Sequence, residues 1–439
     1  MVALKEFFKS RLTKLKKEGS FTQGFSWMFS GTSLAFLIQL VFSPIISRIF
    51  GPEAYGEFAI YNLITSNLIS ISTLAYPQAL IIKNQPKHYF SLSLLIIGLS
   101  LISVTFFCLI YFLFSDYWNS LFDLNTGMVV IISFATILSV LNDVFSKWNL
   151  VINKFKRNTV VNISITSISK IYTIGFGKYF SPSGLGLISA ELLKLFLISI
   201  VIFKTSTYKS ILRKLSTLNR EEISQSYNKA KELKNYPFFI WPGNWLNMFS
   251  NQLPVIFFTM YFSMGELGAF TFASSMIAIP NRLIGNAVRP IYYKKSQDIL
   301  QENGDLRAFT NKIIITLFLI SIPAFILLFF FGSDVFVFIF GKEWELSGNI
   351  ASYLSIIYVM AFSASPIGSI FLSLKKERQL LFYQFILFGL RLGTLYVCFH
   401  FNIDILKSVL YYSMSNVIGY IILHLLIQYN LNTFHSRIK

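Results

Sequence analysis

The sequence carries cations inside apolar segments, where they could bind an anion. Residues 280–290 read PNRLIGNAVRP and place Arg282 and Arg289 at the end of the apolar run LGAFTFASSMIAI. Lys170 and Arg391 lie near the middle of two other apolar runs. A charge at the centre of a membrane helix costs about 2.5–3.5 kcal/mol, so it normally faces a cavity or a partner. An excess of cations favours a ligand such as a diphosphate, which arginine binds through two parallel hydrogen bonds.

The two arginines of this segment differ in their surroundings. At positions i, i+4 and i+7, Arg282, Asn286 and Arg289 share one helical face. Arg282 is the deeper of the two, and we expect it to contact the ligand. Arg289 is followed by PIYYKK, so extension of its side chain to the membrane surface is an equal alternative to ligand contact.

A stripe of amides marks the segment WPGNWLNMFSNQLP (241–254). Asn244, Asn247 and Asn251 recur at i, i+3 and i+7 and therefore lie on one helical face. Such a stripe either holds helices together or donates hydrogen bonds to sugar hydroxyls. Pro242 and Pro254 predict a bent or interrupted helix, of the kind that lines transporter cavities.

Two other charged positions have a simpler structural interpretation. Glu191 comes three residues before Lys194, which predicts a local ion pair, with coupling of Glu191 to a proton as the alternative. Arg48 lies beside Glu53 and Glu57, and we expect it to brace a turn rather than to bind a ligand.

The composition predicts an all-α membrane protein. The chain has 439 residues, of which 54% are hydrophobic and 13% are charged, and its mean hydropathy is +0.59. A soluble protein would carry about 25% charged residues. Runs of roughly 20 apolar residues indicate transmembrane helices. We predict twelve spans, at 25–48, 56–81, 91–114, 127–146, 159–180, 185–203, 236–262, 266–288, 310–331, 349–373, 380–400 and 407–428.

The basic residues predict the orientation of these spans. Of the 38 Lys and Arg residues, 29 fall before the first span, in alternate loops, or after the last span. The positive-inside rule therefore predicts that both termini are cytoplasmic. Because the net charge of +18 is concentrated on that side, it is explained by membrane topology and not by nucleic-acid binding.

The chain divides into two similar halves. We expect a basic amphipathic segment (1–20), an N-lobe of six spans (21–203), a cytoplasmic linker (204–235) and a C-lobe of six spans (236–439). FGPEAYGEF (50–58) matches FSMGELGAF (262–270) at an offset of 212, and an offset of 221 aligns Lys170 with Arg391. Parallel six-span repeats predict two lobes that are related by a pseudo-two-fold axis around a central cavity.

Three segments resemble a known family. SRIFGPEAYGEFAIYN (47–62), VINKFKRNTVVNI (151–163) and FGKEW (340–344) are similar to the polysaccharide flippases of the multidrug/oligosaccharidyl-lipid/polysaccharide (MOP) exporter superfamily. The resemblance implies a bacterial inner-membrane protein that works by alternating access. Its substrate would be an undecaprenyl-diphosphate-linked repeat unit for O-antigen, capsule or exopolysaccharide. Its partners would be membrane lipids and the polysaccharide polymerase machinery.

The sequence leaves two other function classes open. A multidrug or cation antiporter of the same superfamily would place carboxylates in the cavity, whereas this chain has mainly cations there. A membrane polymerase or ligase usually needs a large extracytoplasmic loop, and the predicted outer loops are short. We therefore expect a transporter and not an enzyme. We expect no cofactor, and coupling to H⁺ or Na⁺ is left open, with Glu191 as its candidate residue.

Overall fold

The computed structural model describes residues 21–82, 86–151, 155–203, 220–302 and 304–438, and its regular elements in these ranges are all helices. The predicted basic segment 1–20 lies outside the described residues, as does the first part of the predicted linker, 204–219. The helices up to residue 232 are α1 (Phe21–Ser47), α2 (Pro52–Thr73), α3 (Tyr76–Ile82), α4 (Pro86–Leu113), α5 (Ser115–Phe122), α6 (Thr126–Val151), α7 (Phe155–Tyr179), α8 (Gly184–Phe203) and α9 (Arg220–Glu232).

A π-helical turn, Tyr236–Ile240, precedes the remaining helices. Short 3₁₀ turns at Lys342–Trp344 and Ile367–Ser369 interrupt this part of the chain. The helices are α10 (Trp241–Tyr261), α11 (Met264–Gln301), α12 (Leu306–Phe340), α13 (Glu345–Ala364), α14 (Ile370–Ser373), α15 (Glu377–His400) and α16 (Ile405–Ile438).

The helices have the length and surface of membrane spans. Eight helices in the described part of the chain are long and apolar enough to cross a bilayer. Large apolar side chains cover their outer faces, and Phe330 and Phe338 of α12 are 69% and 83% exposed. Such a surface is stable in lipid and not in water. The chain is therefore a multi-pass membrane protein. Each of the twelve predicted spans contains helix, and the crossing of the bilayer by all twelve stays a prediction.

Prolines lie beside several interruptions of the helices. α2 ends before Leu74 and Ala75, which have φ angles of 45° and 62°, and Pro77 follows in the first turn of α3. α13 ends at Ala364, and Pro366, which has no backbone N–H to donate, precedes the 3₁₀ turn that follows. A π-helical turn, Tyr236–Ile240, precedes α10, but α10 itself runs from Trp241 to Tyr261 through Pro242 and Pro254, so the interruption predicted at these prolines is absent.

The chain forms two compact units. The first comprises Met1–Phe42, Tyr61–Ser181 and Leu185–Pro242, and the second comprises Ser43–Ile60, Pro182–Gly184 and Gly243–Lys439.

The described part of the predicted linker belongs to the first unit. Its helix, α9, packs against α4, and the hydroxyl of Tyr76 donates to the carbonyl oxygen of Ala230 at 3.5 Å. The ring of Tyr76 stacks on that of Tyr236, with ring centroids 6.4 Å apart. This segment is therefore a docked helix rather than an extended connection.

In the second unit, the beginning of SRIFGPEAYGEFAIYN (47–62), which we call the outer-turn motif, packs against the FGKEW motif. Nε1 of the fully buried Trp344 donates to the carbonyl oxygen of Ser47 at 2.9 Å. Nη2 of Arg48 donates to the carbonyl oxygens of Phe338 and Ile339, each at 3.2 Å, at the C-terminal end of α12. The prediction that Arg48 braces a turn is confirmed, and its acceptors are the carbonyls at a helix end.

Candidate functional site

Arg391 lies inside the second unit and is almost completely buried. Its helix, α15, packs against α10 and α16, and the residue is only 3% exposed. Its Nε donates to Oδ1 of Asn416 at 2.8 Å, and its Nη1 donates to Oγ of Ser250 at 2.9 Å. Arg391 therefore links three helices through neutral acceptors.

The charge of Arg391 is not neutralised by a carboxylate. Within the described residues, no Asp or Glu oxygen lies within 4.0 Å of its guanidinium nitrogens. Its electrostatic neighbours include the phenols Tyr358, Tyr383 and Tyr420. A guanidinium has five N–H donors, and the two hydrogen bonds described above leave three of them for an anion. A buried cation without a counter-charge is costly, which favours a role in ligand binding.

Arg282 lies on an exposed face of α11 and shares a neighbour with Arg391. Its Nη2 donates to the carbonyl oxygen of Ser275 at 3.3 Å. Its charge also acts on the phenol of Tyr358, as does the charge of Arg391. The hydroxyl of Tyr358 donates to the carbonyl oxygen of Ser274 at 3.3 Å. The fold therefore places the two predicted arginines within electrostatic range of one phenol, although they are far apart in the sequence.

Arg289 stabilises the end of a neighbouring helix. Its Nη2 donates to the carbonyl oxygen of Ser365 at 3.3 Å and to Oγ of the same residue at 3.2 Å. Ser365 is the C-cap of α13, where unpaired carbonyls and the helix dipole favour a cation. Arg289 thus has a structural contact of its own, and its contact with a ligand stays a prediction. Asn286, on the same face of α11, is exposed.

The amide stripe of α10 is exposed along its length. The side chains of Asn244, Asn247 and Asn251 are exposed, whereas Leu246 and Ser250 on the other face are buried. Nδ2 of Asn251 donates to the carbonyl oxygen of Asn247 at 2.7 Å, one turn earlier in the same helix. The stripe therefore does not hold helices together within the second unit. Polar side chains at membrane depth normally face water or a ligand and not lipid, so this face is suited to line a cavity.

The first unit contains a separate charged cluster. Nζ of Lys194 lies 2.9 Å from Oε1 and 3.2 Å from Oε2 of Glu191, so the predicted local ion pair is present. Both charges act on Lys170, which lies half-buried on α7. Glu191 also acts on the phenol of Tyr61. The structure thus brings Lys170 within electrostatic range of Glu191 and Lys194.

The two hydrogen-bond acceptors of Arg391, Asn416 and Ser250, were not predicted from the sequence. Tyr412, Asn416, Tyr420 and His424 recur every four residues and form one stripe on α16. Tyr412 and Asn416 are buried, and Nε2 of His424 lies 3.4 Å from Oγ of Ser363. This periodic polar stripe was the available signal for Asn416. Ser250 offers no such signal, because serine is common in membrane helices.

The fold is similar to that of several solved transporters. A multidrug resistance MATE family transporter of the MOP superfamily, in an inward-facing conformation, is 14% identical over 97% of this chain and 98% of its own, with a TM-score of 0.63. The lipid II flippase MurJ, in an inward closed conformation, is 14% identical over 93% of this chain and 90% of its own, with a TM-score of 0.63. A MOP superfamily transporter from Pyrococcus furiosus is 13% identical over 93% and 95%, with a TM-score of 0.58. The chain has the fold of these proteins.

The sequence match is to a family involved in polysaccharide synthesis. Residues 45–348 match the family model described as polysaccharide biosynthesis protein, which is more than half of the chain. The matched range contains the outer-turn motif, the cluster around Glu191 and the arginines of α11, and it ends before Arg391. No curated protein sequence matches the chain significantly. The chain belongs to the polysaccharide biosynthesis protein family.

Proposed function

We propose that this protein is a flippase for lipid-linked oligosaccharides in the bacterial inner membrane. It moves undecaprenyl-diphosphate-linked repeat units from the cytoplasmic to the outer leaflet for O-antigen, capsule or exopolysaccharide synthesis. Twelve spans form two six-helix lobes, related by a pseudo-two-fold axis around a central cavity, and both termini are cytoplasmic. The family supports the polysaccharide pathway, and the transporter fold supports movement of a substrate rather than its chemical conversion.

The observation that carries the proposal is the uncompensated charge of Arg391. The guanidinium of Arg391 belongs to a residue that is 3% exposed, and its hydrogen bonds within the described residues go to a serine and an amide, neither of which is a counter-charge. Arg282 adds a second guanidinium within electrostatic range of Tyr358. Two arginines in one polar cluster complement a diphosphate, because each guanidinium donates to several of its oxygens.

The other predicted site residues have distinct roles in this mechanism. Arg289 and Arg282 receive the diphosphate at the depth of the cytoplasmic headgroups. Arg391, in the C-lobe, and Lys170, in the N-lobe, then hold it near the midplane while the lobes rock by alternating access. Asn244, Asn247 and Asn251 donate hydrogen bonds to sugar hydroxyls, and the polyprenyl tail remains in lipid.

Glu191 is the candidate for coupling transport to an ion. It forms an ion pair with Lys194 and acts electrostatically on Lys170, so loss of its charge would change the electrostatic field at both lysines. We propose H⁺ or Na⁺ as the coupling ion and no cofactor. The polysaccharide polymerase machinery would accept the repeat unit in the outer leaflet.

The sign of the buried charge separates this proposal from an antiporter function. The MATE transporter and MurJ have the same TM-score to this chain, so the fold alone does not distinguish the two functions. A site for a cationic drug or Na⁺ needs carboxylates. Among the described residues, Arg391 has none within ion-pair distance, which favours an anionic substrate.

The proposal is tested by substitution in cells that produce the polysaccharide. Arg391→Ala and Arg282→Ala should abolish surface polysaccharide at an unchanged membrane level of the protein. Lys407→Ala is the matched control, because it removes a cation whose side chain is 68% exposed.

A deletion strain should accumulate lipid-linked repeat units on the cytoplasmic leaflet. Normal polysaccharide in both arginine variants would contradict the site. Accumulation of single units on the outer leaflet would indicate a polymerase.

A further inference from the structure

A cavity in the first unit has no role in the mechanism above. Its volume is about 290 Å³, and it lies between the ends of α6 and α8 and the beginning of α7. Seven of its ten lining residues are polar or charged, among them Arg157, Asn149, Asn158 and Asn162. The positive-inside pattern predicts that these helix ends are cytoplasmic, so the cavity would lie at the depth of the lipid headgroups.

Hydrogen bonds between side chains and backbone hold the wall of this cavity in place. Nδ2 of Asn149 donates to Oδ1 of Asn158 at 2.7 Å, and Nδ2 of Asn158 donates to the carbonyl oxygen of Ser146 at 2.9 Å. Nδ2 of Asn142 donates to the carbonyl oxygen of Leu195 at 2.9 Å. Because these amides are already paired, the cavity has its shape before a ligand binds.

The cavity is lined by one cation, Arg157, and one anion, Asp143. Nη2 of Arg157 donates to the carbonyl oxygen of Val201 at 3.3 Å, and among the described residues no carboxylate lies within 4.0 Å of its guanidinium. Asp143 also lines the cavity, but its carboxylate lies 3.6 Å from Nζ of Lys147, which compensates its charge. The first turn of α7 contains no acidic residue, so the positive end of the helix dipole adds to the charge of Arg157.

We infer that this cavity binds the phosphate of a membrane lipid. Arg157 offers its remaining N–H donors to phosphate oxygens, and the side chain of the exposed Asn162 offers further polar contacts. Val161, Ile198 and Val201 provide an apolar part of the wall for the glycerol or the first carbons of a chain. The phosphate has two sources in this membrane, an anionic phospholipid and a polyprenyl diphosphate. Only binding of the polyprenyl diphosphate rests on the proposed transport function.

The test measures lipid binding to the full-length protein in detergent, independently of transport. The probes are phosphatidylglycerol, undecaprenyl diphosphate and, as the lipid without phosphate, diacylglycerol, with retention measured by native mass spectrometry. Arg157→Gln should weaken binding of at least one phosphate lipid by about tenfold, as expected for the loss of a charged hydrogen-bond donor. Lys156→Gln removes the neighbouring cation, which does not line the cavity, and should change binding less than twofold.

The outcomes distinguish the site from general surface charge. Equal weakening by Arg157→Gln and Lys156→Gln, or equal retention of diacylglycerol, would overturn the inference. An effect on phosphatidylglycerol alone assigns the cavity to a phospholipid, and an effect on undecaprenyl diphosphate alone assigns it to the substrate. Asn162→Phe fills the cavity without changing its charge and should weaken lipid binding to a similar degree. This second variant decides the result if Arg157→Gln fails to fold. Loss of lipid binding with normal surface polysaccharide would leave the flippase proposal intact.

Discussion

Gly56 and Gly268 lie at matching positions of the two sequence repeats, and each approaches the other's helix. A Cβ atom on Gly56 would lie 2.2 Å from the carbonyl oxygen of Met264, and a Cβ atom on Gly268 would lie 1.7 Å from the carbonyl oxygen of Pro52. Met264 is related to Pro52 by the same offset of 212 that relates Gly268 to Gly56. Reciprocal contacts of this kind are what a local two-fold axis produces. The first turns of α2 and α11 therefore meet symmetrically, at a distance that only glycine permits.

We expect Gly268→Ala to destabilise this contact strongly. The added methyl group overlaps a backbone oxygen, which has no rotamer to change, so at least one helix must shift. Overpacking of this kind costs about 1–3 kcal/mol. The thermal unfolding temperature of the purified protein in detergent should fall by several degrees. Gly265→Ala, three residues earlier, is the control, because its Cβ would lie 3.7 Å from Cγ of Glu53 in ordinary contact. Equal stability of the two variants would contradict the close approach.

Trp344→Phe should weaken the packing between the outer turn and the α12–α13 hairpin. The substitution keeps a ring against Phe272 and Tyr55, but it leaves the carbonyl oxygen of Ser47 without its indole donor. A lost buried hydrogen bond costs about 1–3 kcal/mol, and removal of the ring in Trp344→Ala costs about 3–5 kcal/mol. Trp118→Phe, at a half-exposed position on α5, should leave the unfolding temperature unchanged. A Trp344→Phe variant as stable as the parent protein would show that the hydrogen bond is unimportant.

Arg282 and Arg289 should separate into a functional and a structural residue. Arg289→Ala removes the cation at the C-terminal end of α13, and we expect a loss of about 0.3–1 kcal/mol in stability, up to about 2 kcal/mol at a partly buried end. Arg282→Ala should lower the unfolding temperature less and reduce polysaccharide export more. Unfolding in detergent and surface polysaccharide, measured on the same variants, check this ordering. The reverse ordering would assign the substrate contact to Arg289.

Exchange of Glu191 and Lys194 should test whether their ion pair has only a structural role. Glu191→Gln leaves Lys194 without its ion-pair partner and removes the carboxylate that acts on Lys170, so we expect lower stability and a lower membrane level. The double variant Glu191→Lys/Lys194→Glu keeps the same three charges, and it should regain stability. If Glu191 carries the coupling ion, export should remain lost in the stable double variant. Full recovery of export would limit Glu191 to a structural role.

The helical architecture was predictable because hydropathy and charge are local properties of the chain. The apolar runs locate helices such as α4 and α12, whose surfaces are stable only in lipid. The offset of 212 also identified Gly56 and Gly268 as equivalent positions, without indicating that they are close in space. Lys194 was paired correctly with Glu191, since residues three apart on one helix are always neighbours.

Contacts between helices were decided by the tertiary structure. Arg391 was identified from its depth in an apolar run, but its acceptors come from α10 and α16 and depend on how each helix is rotated. The bond of Arg289 to Ser365 likewise requires α13 to end beside α11. The sequence by itself determined that cations lie within membrane helices, because their insertion cost is a property of the residue. Only the tertiary structure decided that Arg391 bonds neutral side chains and, among the described residues, no carboxylate, because that depends on which side chains of distant helices meet.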